Sequence, residues 1–180
     1  IEAPEDALFD RLHLNYDPLP LVAEDLGVIT PDVEALRRRY GLPGMKVLQF
    51  AFSGDVANPY LPFHHETNSV VYTRTHDNDT TLGWYVSLDD HTRQYVDEYL
   101  GLSREVMPWP MIRVALASRS RMAIIPMQDL LGLDGSHRMN LPGSSDGNWL
   151  WRFDWSQVEE DLAGRLRRRI HMYGRLADDS

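Results

Sequence analysis

Cysteine is absent from the 180 residues, which excludes disulfides and thiolate metal sites. Long hydrophobic runs are also missing: nothing approaches the roughly 18 apolar residues of a membrane span, and no signal-peptide pattern is present. The expected location is therefore cytosolic. Positive charge is scarce, with 18 Lys and Arg against 27 Asp and Glu, and the net charge of -9 argues against a nucleic-acid backbone or an anionic membrane as partner. A neutral polar substrate fits better. No glycine-rich loop follows any apolar run, so the main signal of a dinucleotide-binding sheet is missing. The chain begins at Ile1 without a methionine, and a fragment of a longer protein is expected.

What is present suits one domain, or a piece of one: 43% hydrophobic and 25% charged residues. Compact apolar runs occur at Leu21–Ala23, Lys46–Phe52, Ser69–Thr73 and Met122–Met127. Near-continuous apolarity marks them as strands buried on both faces, hence parallel. Helices are expected over 31–40, 89–100 and 111–120, the last limited on its N-terminal side by Pro108 and Pro110. A final amphipathic helix is expected behind a Ser156/Glu159 capping box, with Val158, Leu162, Leu166, Ile170, Tyr173 and Leu176 on one face. Residues 53–68, rich in Pro, Asn, His and Gly, read as loop. Strand and helix in alternation give an α/β fold, either a β/α barrel or an open doubly wound sheet, and half of a barrel is favoured.

Two acidic segments follow such runs. Glu24-Asp25 comes after Leu19–Val22, and Thr75-His76-Asp77-Asn78-Asp79 comes after Val70–Tyr72, so both emerge where a strand meets its loop. Barrel enzymes place catalytic groups there. Taken alone, Glu24-Asp25 reads more often as a cap or turn, and His76-Asp77 as a structural hydrogen-bonded pair. In His64-His65-Glu66 the adjacent histidines share no face and no third ligand is apparent, so no metal is expected. Phe50 and Phe52 read as core filling, and Trp149, Trp151 and Trp155 as anchors of a loop against the final helix. The arginine runs 37–39 and 165–169 read as solvated helix faces. Gln128 and Asp129 could orient substrate or cap a turn.

Longer segments resemble the amylomaltase, or 4-α-glucanotransferase, family of the α-amylase clan. The carriers are AEDLGVITP at 23–31, GLPGMKVLQF at 41–50, THDNDTTLGW at 75–84, QDLLGL at 128–133 and Arg138-Met139-Asn140. The resemblance implies that residues 1–180 are a C-terminal portion of the catalytic domain, the C-terminal half of a (β/α)8 TIM barrel with strands five to eight. It implies Glu24 as general acid/base, Asp77 as the carboxylate that stabilises the transition state, and His76 as a substrate-binding residue. Asp25, Phe50 and Asn140 are further substrate-binding candidates. The family's nucleophilic aspartate is missing. Asp10-Arg11-Leu12-His13 has suitable residue types in the wrong order, and lies too close to Glu24 for a helix to fit between two parallel strands. The implied activity is retaining transfer between α-1,4-glucans without metal or organic cofactor, with maltooligosaccharides or starch-like glucans as partners along with a missing N-terminal barrel half. The chain alone is expected to be inactive. An α-glucan hydrolase of the same clan and a non-catalytic glucan-binding module are the alternatives. Arg74 departs from the family pattern, standing where a small residue, usually glycine, is expected.

Overall fold

A computed structural model describes residues 5–101 and 105–177. Helix α1 (Glu5–His13) takes up the Asp10–His13 segment, and α2 spans Pro31–Arg39. Proline at the start of α2 loses no hydrogen bond, and Asp32 and Glu34 face the positive end of its dipole. Strands β1 (Gly44–Val47), β2 (Ser69–Tyr72) and β3 (Met122–Ile124) form one parallel sheet in the order β1-β2-β3. Val47 is in register with Tyr72, and Tyr72 with Ile124. Their C-terminal ends therefore lie side by side.

Between the strands and after them come α3 (Thr81–Ser87), α4 (Asp90–Leu100), α5 (Trp109–Ala117), α6 (Met127–Leu130) and α7 (Leu162–Met172). Leu48, Val71, Val96, Leu100, Met111 and Ala115 form the core between sheet and helices. Each large side chain fully buried there contributes about 1.5–3 kcal/mol. A second cluster, Trp109, Ile112, Leu116 and Leu162, joins α5 to α7. Among the described residues no helix is long and apolar enough to cross a membrane.

The alternation of parallel strands and helices is as expected, but several boundaries differ. The run Leu21–Ala23 contributes a single parallel bridge, Ala23 to Gly44, with Leu21 and Val22 exposed. The run from Lys46 to Phe52 is strand only as far as Val47 and continues as a 3-10 turn over Leu48–Phe50. Leu48 and Ala51 are buried all the same, because an apolar run satisfies a core in either conformation. The capping box belongs to Asp154 and Gln157 around a short 3-10 turn, and α7 starts only at Leu162. Pro110 lies inside the first turn of α5, where its missing N–H costs nothing. Helix α3 was not expected, although Thr80 caps it by accepting from the Gly83 N–H at 3.0 Å.

The arginine runs are not plain solvated faces. Arg37 is buried beside Asp25, Glu34 and Glu66, whereas Arg38 and Arg39 are exposed. Arg165 and Arg169 converge with Arg113 on Glu105. Trp149 and Trp155 are 54% and 78% exposed, too open to anchor a loop by burial.

Candidate active site

Three loops leave the C-terminal ends of the sheet, and each brings side chains to one cleft of about 320 Å³. The turn after Ala23 supplies Glu24, the loop after β2 supplies Arg74, Thr75, His76 and Asp77, and the end of β3 supplies Ile124 and Pro126. Met45 and Tyr72 complete the lining. The exposed Glu24 and the half-exposed Asp77 thus share one cavity. Burial pushes the Tyr72 phenol up, and the negative charge of Glu24 adds to that, which sets the Glu24 carboxylate beside the end of β2.

The loop after β2 is shaped by its own side chains. Asn78 Oδ1 accepts from both the N–H and the hydroxyl of Thr75, at 2.9 and 2.8 Å, folding the chain so that His76 and Asp77 stand at the tip. Asn140 Nδ2 donates to Asp77 Oδ1 at 2.5 Å, and His76 Nε2 lies 3.4 Å from Oδ2. Arg138 donates to the Asp77 carbonyl at 2.9 Å and to the Asn140 carbonyl at 3.2 Å. A ribbon 61 to 63 residues further along the chain therefore holds Asp77 in place. The ring of Trp149 rests 4.9 Å from that of His76.

Beneath the loop, Asp129 is fully buried and receives both of its ends. Thr73 Oγ1 and Thr81 Oγ1 donate to Oδ2, the Thr81 N–H donates to Oδ1, and Arg74 Nε lies 3.4 Å from Oδ1. Arg74 is 1% exposed, with Nη1 on the Thr75 carbonyl and Nη2 without a hydrogen-bond partner among the described residues. Burial pushes this guanidinium down while Asp129 opposes the shift. Where a small residue was expected, a buried cation thus braces the floor of the cleft. Gly83 permits the close packing of this region: a Cβ there would come within 2.6 Å of Asp79 Oδ1 and 2.8 Å of the Gly135 backbone.

Not every candidate lines the cleft. Asp25 accepts from the Met45 N–H at 2.6 Å and lies 3.3 Å from Arg37 Nε, so its carboxylate fixes the Glu24 turn to the start of β1. A Cβ at Gly44 would meet it at 2.3 Å, which is why the strand opens on glycine. Phe50 is 41% exposed and stands edge-on to Tyr60 at 5.4 Å. Tyr60 in turn neighbours Gly27 and Asp25, and Phe50 is not among the residues that line the cleft. Arg138 and Tyr72 were not singled out from sequence, and Asp129 was left open between two roles. Their importance lies in side-chain reach across loops, which spacing along the chain does not reveal.

Fold and site together define a parallel β/α protein with a two-carboxylate cleft at the C-terminal ends of its strands. The 4-alpha-glucanotransferase family model matches residues 1–157, and the chain belongs to that family. It is 52% identical to a 4-alpha-glucanotransferase of Synechocystis over 88% of this chain and 32% of that protein. Identity to the Thermus thermophilus 4-alpha-glucanotransferase is 44%, over 98% of this chain and 37% of the other. Among solved structures, the amylomaltase of Streptococcus agalactiae in complex with acarbose superposes with a TM-score of 0.93 at 31% identity, covering 98% of this chain and 36% of that one. The chain spans about a third of the length of these relatives.

Proposed function

We propose that this chain is the acid/base-bearing part of a 4-α-glucanotransferase, the C-terminal half of a (β/α)8 barrel whose strands five to eight are the Ala23 bridge, β1, β2 and β3. The observation that carries the reading is the placing of Glu24 and Asp77 on one cleft at the mouth of the sheet. The sequential parallel strand order supports the barrel, as do the exposed apolar side chains of Met122 and Ile124 on β3, which a continuing sheet would cover. The acarbose complex of the Streptococcus agalactiae relative supports an α-glucan as substrate. The proposed compartment is the cytosol, where a chain without cysteine is indifferent to reducing conditions.

In the first half-reaction, Glu24 in its acid form donates a proton to the departing glycosidic oxygen while an aspartate from the preceding part of the barrel attacks the anomeric carbon. Direct attack requires that nucleophile and Glu24 stand about 5–5.5 Å apart. Asp77, ionised and held by Asn140, stabilises the positive charge that develops on the sugar ring. His76 and Asn140 bind sugar hydroxyls beside it. Asp25 acts through the Glu24 turn, which it holds to β1, and the exposed Phe50 after β1 is a further substrate-binding residue of this reading. In the second half-reaction Glu24, now a carboxylate, takes the proton of the acceptor 4-hydroxyl, and the glucan is transferred.

The same carboxylates would serve a hydrolase if water took the acceptor's place, and maltotriose separates the readings. Given maltotriose, the protein that carries this chain is expected to yield glucose together with oligosaccharides longer than three units. Shorter products alone would identify a hydrolase, and no reaction would leave a glucan-binding module.

A further inference from the structure

From Trp149 to Trp155 every second residue is aromatic: Trp149, Trp151, Phe153 and Trp155. Between Trp151 and Phe153 the backbone carries no helix or strand, and beyond Trp149 a period of two places alternate side chains on one side of an extended chain. The four rings follow one another along the chain as a row, touching in series from Trp151 onward. Trp151 and Phe153 stack at 6.1 Å and 25°, and Phe153 meets Trp155 edge-on at 5.2 Å. At its inner end Trp149 contacts His76 of the cleft, while at its outer end Trp155 is 78% exposed.

Local structure fixes the row in place. Trp149 adopts φ +65°, a conformation rare for a bulky residue, and its N–H is held by the Met139 carbonyl at 2.8 Å. Met139 sits between Arg138 and Asn140, which grip Asp77, so the row is tied to the same loop as the catalytic groups. Of the two charged residues within the row, Arg152 folds back to donate to the carbonyls of Trp151 and Trp149 at 2.7 and 3.3 Å, and Asp154 caps the turn at Trp155. The buried Trp151 indole N–H has no acceptor among the described residues, whereas buried indoles usually find one.

We propose that this row is a platform for α-glucan, on which a chain threaded through the cleft lays its outer sugar rings against successive aromatic faces. The inference rests on the glucan-transfer reading and deepens it by adding recognition of glucan length. Apolar ring faces cover the C–H face of a sugar while its hydroxyls stay in water. A nucleic-acid strand would use stacking platforms too, but it needs a basic groove. Here Arg152 is the one cation within the row, set against Asp154 within it and Asp146 before it, in a chain of net charge -9. The contact of Trp149 with His76 brings the start of the row to the edge of the cleft, and a neutral glucan is the fitting occupant.

Trp155→Ala and the double variant Phe153→Ala/Trp155→Ala, made in the whole protein that carries this chain, test the platform. Trp155 is open to solvent, so its truncation leaves folding intact. The ratio of kcat/KM for maltoheptaose to that for maltotriose is expected to fall about tenfold, through KM. An unchanged ratio, or an equal loss of kcat on both substrates, overturns the proposal. Tryptophan fluorescence titrated with maltoheptaose gives a second readout that does not depend on turnover. A change on binding that Trp155→Ala diminishes supports the platform even if the parent protein transfers no glucan. No difference between parent and variant, as when the remainder of the protein or a second copy covers the row, overturns it.

Discussion

His65 shows how a residue that suggests chemistry in the sequence can serve structure. It stands between His64 and Glu66, a grouping that suggests a metal site but lacks a third ligand in the sequence, and it is 1% exposed, with Nε2 donating to the Tyr60 carbonyl at 2.9 Å and Nδ1 accepting from the Ser120 hydroxyl at 3.0 Å. Burial pushes its pKa down to about 4 from 6.5. Between those values the unfolded chain binds the proton and the folded one does not, so the neutral imidazole contributes stability that is full above pH 6.5 and lost as pH falls towards 4. Integrated over that window, the loss is about 3 kcal/mol. Denaturant titrations at pH 7, 5.5 and 4 are expected to show the decline, and His65→Gln should flatten it. An equal slope in the variant would count against this role. The emergence of Glu24 and Asp77 at loop ends was legible in the sequence because their motifs are local, whereas the burial of Arg37 and His65 depends on partners up to 55 residues away.

At the scale of elements, the loop from Thr73 to Thr81 is closed on itself by Asp129 at the head of α6. One carboxylate receives two hydroxyls, a backbone N–H and a guanidinium, so it anchors both the end of β2 and the start of α3. Removing one member of a buried ion pair leaves the other unpaired, at a cost of about 3–5 kcal/mol. Asp129→Ala is expected to lose stability on that scale, and combining it with Arg74→Gly should recover part of the loss, measured as coupling in a double-mutant cycle. Strict additivity of the two changes would mean that Arg74 and Asp129 do not act as a pair.

Three of the four expected strands were readable from apolar runs, Leu21–Ala23 giving only a bridge, but strand ends were not. Leu48 and Ala51 fill the core from a 3-10 turn as well as they would from a strand, so hydrophobicity could not mark where β1 stops. The capping box shows the same limit. Ser156/Glu159 and Asp154/Gln157 have equal spacing, and the structure uses the pair whose acceptor is a carboxylate. Helix α3 escaped notice because its start, Thr80-Thr81, lies inside a motif already read for chemistry.

Across the whole molecule, a short parallel sheet with its strands in sequence order carries the proposed site at one end and packs its helices on Val71 and its neighbours. The account depends on a division of labour in the cleft, with Glu24 moving protons and Asp77 stabilising charge. A substrate whose leaving group needs no protonation separates the two roles, because fluoride departs unaided from α-maltosyl fluoride. With the whole protein carrying Glu24→Gln, transfer from maltotriose is expected to fall by at least about 100-fold, while α-maltosyl fluoride still gives a burst of one fluoride per enzyme. Asp77→Asn should abolish that burst. Equal loss of both substrates in the Glu24 variant, or a normal burst in the Asp77 variant, would contradict the account.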